Sequence, residues 1–535
     1  MKWTWLRLLA AVAGAVAIGA HAFALRFNAL GGTMGGFDND HFVHLLRTDL
    51  LLSGEQPLRD FADAELRGAW PSLGYETSAW AQRIWGRTLL SEAYLTVGAL
   101  ALSAAGVFLL ALHLSQRWTV ALLAAACVIA AHPKLYNYEK VFVLFVGTLF
   151  IRAWIVRPSW FMVAVLSAWT AVATLFRHDF GVYVGMASVA ALLVRGPAPV
   201  GDRVRRVLGY GALTVALLMP SLVWVQQHTG LVEYAQRTID TVKGESGRTA
   251  LGWPMFQSGL GWRDDNLAVL IYYLCWIVVG FGGAVLAAAA MTRRSAERAP
   301  LATGAALLVL AAVVSTYFLR GNLFARFGDA IVPLVLLAAW SAGRVPSPGA
   351  RRATRIAMGA IPRTVLVVMA AALFVGTEMA IELDAAGFTD SWERVQKRFE
   401  DARADLRKLP PDTWVNVGAD GTLAASRYLA ECTAPDDRVL LATYAPEIPV
   451  FARRLVAAGQ GTFGLTFYES EPQQYEALAR LERQSVPIVI GAYEDFEGEF
   501  ADDYRVVHRY VAAHYRDGGM IPVDGHPRFR ILVTV

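Results

Sequence analysis

The chain has 535 residues, of which 55% are hydrophobic and only 18% are charged, and its formal net charge is +4. A soluble globular protein carries about a quarter charged residues, so the composition excludes an ordinary soluble protein. The arginines cluster beside apolar runs and not in a groove-facing patch, which argues against nucleic-acid binding.

The first apolar segment, residues 8–26, follows Lys2 and Arg7 and has the length of a membrane span. A secretory signal peptide cleaved after Ala22-Phe23-Ala24 is the alternative interpretation. The apolar run is long for the core of a signal peptide, so we expect an uncleaved first span. Cleavage would leave the remaining topology unchanged.

Apolar runs then recur along the chain as far as Ile381, separated by polar connections. Their length and spacing predict about eleven membrane-spanning helices within residues 1–383. The spans are expected near 8–26, 89–112, 118–132, 140–156, 160–176, 180–195, 207–226, 267–290, 300–318, 328–342 and 364–382.

Positive charge is distributed unequally between the two sets of connections. The set that contains the N-terminus holds Lys2, Arg7, Arg117, Arg152, Arg157, Arg195, Arg203, Arg205, Arg206, Arg293, Arg294, Arg298, Arg344, Arg351, Arg352, Arg355 and Arg363. Because short cytoplasmic loops carry an excess of Lys and Arg, we expect a cytoplasmic N-terminus and an extracytoplasmic C-terminal segment.

The longest connections lie on the opposite face. Residues 27–88 and 227–266 far exceed the roughly two to eight residues that join neighbouring helices. Long loops in compact folds are often functional. We therefore expect the working face to be outside the cytoplasm.

Residues 384–535 have the composition of a soluble α/β domain. Periodicity predicts strands at 438–442, 486–490 and 529–533, and helices at 391–409, 422–432, 446–458 and 472–484. This segment has no glycine-rich phosphate loop, metal-ligand cluster or nucleophile elbow. We expect a structural or acceptor-presenting role for it.

Short phrases mark the outer connections and the C-terminal segment. Gly35-Gly36-Phe37-Asp38-Asn39-Asp40-His41 follows the first span, and Ser53-Gly54-Glu55-Gln56-Pro57-Leu58-Arg59-Asp60-Phe61 comes soon after it. The others are Arg177-His178-Asp179-Phe180-Gly181, Arg326-Phe327-Gly328-Asp329 followed by Pro333, and Val450-Phe451-Ala452-Arg453-Arg454. With the span pattern, these phrases resemble the GT-C class of membrane glycosyltransferases. The closest relatives would be the bacterial family 39-like enzymes, related to protein O-mannosyltransferases and lipid A aminoarabinose transferases.

The resemblance implies a mainly α membrane protein, with a GT-C-like multi-helix transmembrane bundle and a C-terminal α/β soluble domain. It also implies transfer of a hexosyl or pentosyl unit from a polyprenyl-phosphate donor to a cell-envelope acceptor. That acceptor would be a glycolipid, a polysaccharide or a protein at the outer face of the inner membrane.

The acceptor hydroxyl needs a base, and a carboxylate near the membrane plane can serve. Asp40 is the first candidate, with Asp38 as a second base or a partner, and Asp60 would contact the acceptor or a metal. Asp38 and Asp40 could share a divalent cation, Mg or Mn, because such ions prefer oxygen ligands. The alternative is helix capping, by Asp38 or Asn39 before a helix near His41 and by Asp60 before Phe61.

The leaving group would be a lipid phosphate, so cations are expected at the outer span ends. The candidates are Arg326, Arg177, Lys134, Arg320, Lys140 and His178. The alternatives are snorkelling of long basic side chains to the headgroups, ion pairs of Arg177 with Asp179 and of Lys140 with Glu139, and a hydrogen-bonded structural role for His178.

Two other classes of function fit a chain of this kind. A lipid or saccharide transporter or flippase usually shows paired inverted halves and interrupted helices, and no internal repeat is evident here. A non-catalytic envelope scaffold would bind a partner through its C-terminal domain. Replacing Asp40 with Asn separates these hypotheses, because only an enzyme loses turnover while it keeps its fold.

Overall fold

The structure is a computed structural model of the chain. It describes residues 5–31, 36–37, 39–61, 73–195, 199–249, 253–259, 265–292, 298–319, 323–344, 352–416, 421–464, 469–523 and 526–535. Helices dominate the first three-quarters of the chain. They are α1 (Trp5–Leu30), α2 (Asn39–Leu52), α3 (Leu73–Trp85), α4 (Leu89–Ser115), α5 (Trp118–Ala130), α6 (Tyr138–Val156), α7 (Trp160–Phe176), α8 (His178–Arg195), α9 (Val200–His228), α10 (Leu231–Thr249), α11 (Asp265–Thr292), α12 (Arg298–Val314), α13 (Leu323–Ala342), α14 (Arg352–Gly376) and α15 (Met379–Ala385).

The C-terminal part mixes short helices with five strands. Its elements are α16 (Trp392–Asp405), α17 (Asp412–Asn416), α18 (Thr422–Cys432), β1 (Arg438–Ala442), α19 (Glu447–Ala452), β2 (Leu455–Val456), α20 (Glu471–Leu481), β3 (Ile488–Ala492), α21 (Glu499–Asp503), α22 (Arg505–His514), β4 (Tyr515–Val523) and β5 (His526–Thr534).

The chain divides into two compact units. The helical unit comprises Met1–Ala29, Thr96–Leu222 and Lys243–Lys397, and the sheet unit comprises Leu30–Leu95, Val223–Val242 and Arg398–Val535. This division differs from the predicted boundary between residues 383 and 384. The first long connection belongs to the same compact unit as the C-terminal α/β segment.

Nine of the eleven predicted spans each fall largely within one α-helix, because long apolar runs favour backbone hydrogen bonding within one segment. The predicted span 300–318 continues past α12 into a 3-10 helix at Ser315–Leu319, and the predicted span 364–382 covers parts of both α14 and α15. In the part of the chain that the structure describes, four helices are long and apolar enough to cross a membrane: Trp5–Leu30, Leu89–Ser115, Val200–His228 and Asn266–Met291. Ala360–Gly376 and Met379–Ala385, bent by 63°, form a fifth if they count as one span. The protein is thus a multi-pass membrane protein, and a total of about eleven spans stays a prediction because several other apolar helices are shorter.

The sheet has the strand order β2-β1-β3-β5-β4. The strands β1, β2 and β3 are parallel, whereas β5 pairs antiparallel with both β3 and β4. The predicted strands at 438–442, 486–490 and 529–533 correspond to β1, β3 and β5. No strand was predicted at β4, whose register is interrupted near Asp517 and Gly519.

The predicted helix at 446–458 is shorter in the structure and ends at Ala452. Arg453 follows with φ of 55°, in the left-handed region. The chain then enters β2 at Leu455, so the second half of the predicted helix is wrong. The physical reason is the left-handed residue, which stops the i to i−4 hydrogen-bond pattern.

Aromatic packing joins α2 to the C-terminal segment within the sheet unit. The Phe42 ring lies edge-on to Trp414, with centroids 5.4 Å apart, and to Phe451 at 5.2 Å. Phe42 is fully buried. This contact fixes the helix that carries the first acidic phrase against α19.

Candidate functional site

A cluster of cations surrounds one buried carboxylate in the helical unit. The ammonium Nζ of Lys140 lies 2.6 Å from Oδ2 of Asp329, and both side chains are buried. The guanidinium of Arg326 lies 3.7 Å from the same oxygen, and it also interacts electrostatically with Lys140, as does Arg177. Three of the six predicted phosphate-binding residues therefore lie in one cluster.

Each member of this cluster stands at the N-terminal end of a helix. Lys140 is in the first turn of α6, Arg177 directly precedes α8, and Arg326 is in the first turn of α13. The N-terminal end of a helix carries a partial positive charge and unsatisfied N–H groups. Helix N-termini and cationic side chains together favour an anion.

Arg177 forms an ion pair with Asp179, which was the alternative interpretation of Arg177 from the sequence. Its Nη2 lies 2.7 Å from Oδ2 of Asp179 and its Nε donates to Oδ1 at 3.1 Å. The guanidinium also lies 5.0 Å from the centre of the Phe180 ring. This bidentate pair fixes the orientation of Arg177.

The remaining predicted cations differ in position. Lys134 is exposed, with its ammonium 5.6 Å from the centre of the Tyr136 ring. His178 is half-buried and is the first residue of α8. Arg320 lies outside the described residues.

Two buried polar atoms of the cluster lack a hydrogen-bond partner among the described residues. They are Oδ1 of Asp329 and Nε of Arg326. Buried polar atoms are nearly always paired, so each of these needs an explanation. A bound water or ligand would supply the missing donor and acceptor.

Asp40 occupies the first turn of α2 in the sheet unit. The hydroxyl of Tyr444, two residues after β1, donates to its Oδ1 at 2.6 Å. The helix begins at Asn39, so Asp40 lies inside the helix and does not cap it. Asp38, the second predicted acid, lies outside the described residues.

A buried contact between a histidine and a carboxylate lies next to Asp40 in sequence. Nε2 of His41 is 3.5 Å from Oε2 of Glu92, and both side chains are almost fully buried. Oε1 of Glu92 accepts from Nε2 of Gln82 at 3.1 Å and from the Ser78 hydroxyl. These bonds fix the start of α2 against α3 and α4.

Asp60 closes a tight turn. Its Oδ2 accepts from the backbone N–H of Gln56 at 2.8 Å, and Arg59 forms an ion pair with it at 2.6 Å. Partial burial raises the pKa of the Asp60 carboxyl, but the bonds to Arg59 and Gln56 outweigh it, and the pKa lies below its usual value. These contacts give Asp60 a structural role in the turn.

A divalent cation near Asp40 would need several oxygen ligands. Among the described residues, no group of three or more His, Cys, Asp or Glu side chains has an arrangement that could hold a metal ion. Of the predicted pair, the described chain contributes Asp40 alone. These residues do not form a complete ligand set, so the possible Mg or Mn ion stays a prediction and no chemical step is assigned to it.

Sequence reasoning missed two partners that organise these sites. Tyr444 is 404 residues from Asp40 and Asp329 is 189 residues from Lys140. Asp329 stands three residues after Arg326 in a phrase that the sequence singled out, but only Arg326 was chosen from it. Contacts over such separations leave no periodic signal in a single sequence.

Neither a family model nor a curated protein matches the chain. Two crystal structures of ArnT from Cupriavidus metallidurans are similar in fold. The form bound to undecaprenyl phosphate is 13% identical, with a TM-score of 0.50, and the match covers 99% of this chain and 98% of ArnT. The apo form is 12% identical, with a TM-score of 0.51 and 98% of each chain covered. The predicted GT-C-like fold with a C-terminal α/β part is confirmed over nearly the whole chain.

Proposed function

We propose that the protein is a membrane glycosyltransferase that takes a sugar from a polyprenyl-phosphate donor and passes it to a cell-envelope acceptor. The reaction would take place at the outer face of the inner membrane. The observation that carries the proposal is the cluster of Lys140, Arg177 and Arg326 around Asp329. Buried cations are costly in an apolar helical unit, and they are expected where that unit binds an anion. Ionisable groups in such places are usually functional.

The ArnT structure with undecaprenyl phosphate supports the choice of carrier. A lipid phosphate remains in the bilayer, so its binding groups must lie on membrane helices. The cations at the starts of α6, α8 and α13 would meet this requirement, since these helices correspond to the predicted spans 140–156, 180–195 and 328–342. Arg177 and Arg326 would bind the phosphate oxygens, since guanidinium groups bind phosphate in a forked geometry.

In the proposed reaction the acceptor oxygen forms a bond to the anomeric carbon of the sugar. The bond between that carbon and the phosphate oxygen breaks, and the electron pair leaves with the lipid phosphate. The cation cluster would stabilise the charge that develops on the departing oxygen. The acceptor hydroxyl gives its proton to the catalytic base.

Asp40 is our candidate for that base. Its carboxylate already accepts one hydrogen bond from Tyr444, which would orient it toward an acceptor hydroxyl. Asp38 stays a secondary candidate. Lys134 and Arg320 would contribute positive potential around the donor, and we assign His178 no chemical step.

The test compares the wild-type protein with Asp40→Asn in vesicles that contain polyprenyl-phosphate sugars. A transferase loses product formation in the variant while its melting temperature is unchanged. A transporter or flippase moves the lipid or saccharide across the vesicle membrane without any covalent product. A scaffold forms no product with either protein, and that result would overturn the proposal.

A further inference from the structure

A cavity of about 270 Å³ lies in the sheet unit. A single water needs roughly 10–15 Å³ on the same measure, so this volume holds far more than one solvent molecule. Its walls come from α2, the start of α4, α19 and the turn into β2. None of the predicted catalytic or phosphate-binding residues lines it.

The charged part of the cavity wall is mostly cationic. It contains Arg87, Arg453 and Arg454, against a single carboxylate, Asp49. Nη2 of Arg87 lies 2.6 Å from Oδ1 of Asp49, so this pair neutralises itself. Two arginines remain without a carboxylate of the cavity wall to balance them.

Arg454 is a fixed part of the wall. Its guanidinium donates to Oγ1 of Thr433 at 2.8 Å and to the carbonyl oxygens of Thr433, Ala430 and Ala452 at 2.7, 3.0 and 3.1 Å. These bonds use its donors, so Arg454 contributes positive potential and a rigid backbone. It is not available to grip a ligand.

Arg453 differs from its neighbour. It is exposed, and its guanidinium forms no hydrogen bond or ion pair within the described part of the chain. Its φ of 55° places it in the left-handed region, at the position after α19 where glycine is usual. Strained backbone of this kind in a ligand-lining position is a starting point for a functional hypothesis.

Another part of the cavity wall is apolar. Leu45, Leu89 and Val450 come from helices, and the rest of it is formed by Leu409, Pro435 and Leu455. A cavity with an apolar wall and a few convergent polar groups is typical of small-molecule sites. The charged and apolar parts of the wall together suit a molecule that has an anionic group and an apolar or sugar-like body.

We propose that this cavity binds the anionic end, a phosphate or a carboxylate, of the acceptor molecule, with Arg453 as the principal contact. The assignment of the ligand as the acceptor rests on the proposed transferase function. Asp49 on the cavity wall and Asp40 both lie on α2, nine positions apart, a separation of about 13.5 Å along a helix. The cavity would hold one end of the acceptor at a fixed distance from the proposed base.

Titration of the full-length protein in zwitterionic phosphatidylcholine nanodiscs tests the site, with calorimetry as the readout. The probes are inorganic phosphate, hexyl phosphate and the neutral hexyl alcohol. We expect hexyl phosphate to bind more tightly than inorganic phosphate, because only the former contacts the apolar wall. Hexyl alcohol binding as well as hexyl phosphate would overturn the proposal, and so would inorganic phosphate binding as well as hexyl phosphate.

Arg453→Gln should weaken hexyl phosphate binding about tenfold or more, since it removes one hydrogen-bonded charge. Arg453→Lys should retain part of the affinity. The matched control is Arg483→Gln, which changes an exposed arginine of the same unit away from the cavity. Equal affinity in Arg453→Gln and Arg483→Gln would contradict the assignment.

The same variants separate this inference from the proposed function. If the wild-type protein transfers sugar but does not bind hexyl phosphate, the cavity assignment fails and the transferase proposal stands. If hexyl phosphate binds in an Arg453-dependent way but no donor is consumed, the cavity is a ligand site and the transferase proposal fails. In an active enzyme, Arg453→Gln should raise the KM for an anionic acceptor and leave kcat nearly unchanged.

Discussion

Lys140 and Asp329 form a buried ion pair with a separation of 2.6 Å between Nζ and Oδ2, although they are 189 residues apart in sequence. Both residues lie near the starts of their helices, α6 and α13. Arg326 approaches the same carboxylate from one turn earlier in α13. Asp329 therefore holds two cations together, and its negative charge offsets part of the cost of burying them.

Removal of one partner from this pair should destabilise the protein. Lys140→Met leaves the Asp329 carboxylate buried without its closest cation, and such changes cost roughly 3–5 kcal/mol. The double variant Lys140→Met with Asp329→Leu should recover much of the loss, since no isolated charge remains. Thermal unfolding of the purified protein measures both effects. A single variant as stable as the wild type would contradict the pairing.

Arg326→Gln should weaken donor binding more than it changes the fold. The guanidinium is partly exposed, and its ion pair with Asp329 is long, at 3.7 Å. Loss of a charged hydrogen bond to phosphate should raise the KM for the lipid donor about tenfold or more. Arg157→Gln, at the other end of α6, is the matched control and should leave KM unchanged. Similar KM values for the two variants would refute the assignment of Arg326.

Asp40 and Tyr444 should contribute unequally to turnover. Asp40→Asn removes the proposed base and should lower kcat by about 10²–10⁴. Tyr444→Phe removes only the hydroxyl that donates to Oδ1, so a smaller fall is expected. Steady-state kinetics of both variants measures the difference. If Tyr444→Phe lowered kcat as much as Asp40→Asn, the assignment of Asp40 as the base with Tyr444 in an orienting role would be contradicted.

The stability contributed by the turn that Asp60 closes should depend on pH. The folded-state pKa of this carboxyl is lowered, so its stabilising contribution is present above the unfolded pKa of about 3.9 and is lost as the pH falls through the folded value. Asp60→Ala should reduce stability at neutral pH by about 1 kcal/mol, because the Gln56 N–H loses its acceptor. Melting temperatures of the wild type and the variant should converge in acid. A difference that persists at a pH at which the Asp60 carboxyl is protonated in both the folded and the unfolded state would exclude this role.

Arg453→Gly should make the protein more stable. Glycine adopts a positive φ at little cost, whereas other residues lose about 1–2 kcal/mol in the left-handed region. Arg483→Gly is the control, because Arg483 is exposed and is not among the residues with positive φ. Thermal unfolding should show a higher melting temperature for Arg453→Gly than for the wild type. The control should show no such increase. A lower melting temperature for Arg453→Gly would show that its side chain stabilises the fold.

The membrane helices could be predicted because apolar runs of spanning length have few alternative structures. The C-terminal strands β1, β3 and β5 were predictable for a related reason, since most residues at their centres are apolar and buried. The strand β4 was not, because Arg516-Asp517-Gly518-Gly519 looks like a turn and the strand lies at the edge of the sheet. The end of α19 was not predictable, because it depends on the left-handed conformation of Arg453. An arginine in a sequence does not indicate that conformation.

The candidate site was predictable only in its residue types. The phrases that contain Asp40, Arg177 and Arg326 were visible in the sequence, and the cluster that includes Arg177 and Arg326 is present. Their partners Asp329 and Tyr444 came from distant segments brought together by folding. A single sequence carries no information on such pairings beyond the residue types themselves.

The most direct test of the transferase proposal is release of the lipid phosphate. Purified protein would be incubated with a panel of polyprenyl-phosphate sugars and a mixture of envelope acceptors, and free polyprenyl phosphate would be quantified by mass spectrometry. We expect release with at least one donor, and none with Asp40→Asn. Absence of release with every donor, from a protein that remains folded, would contradict it.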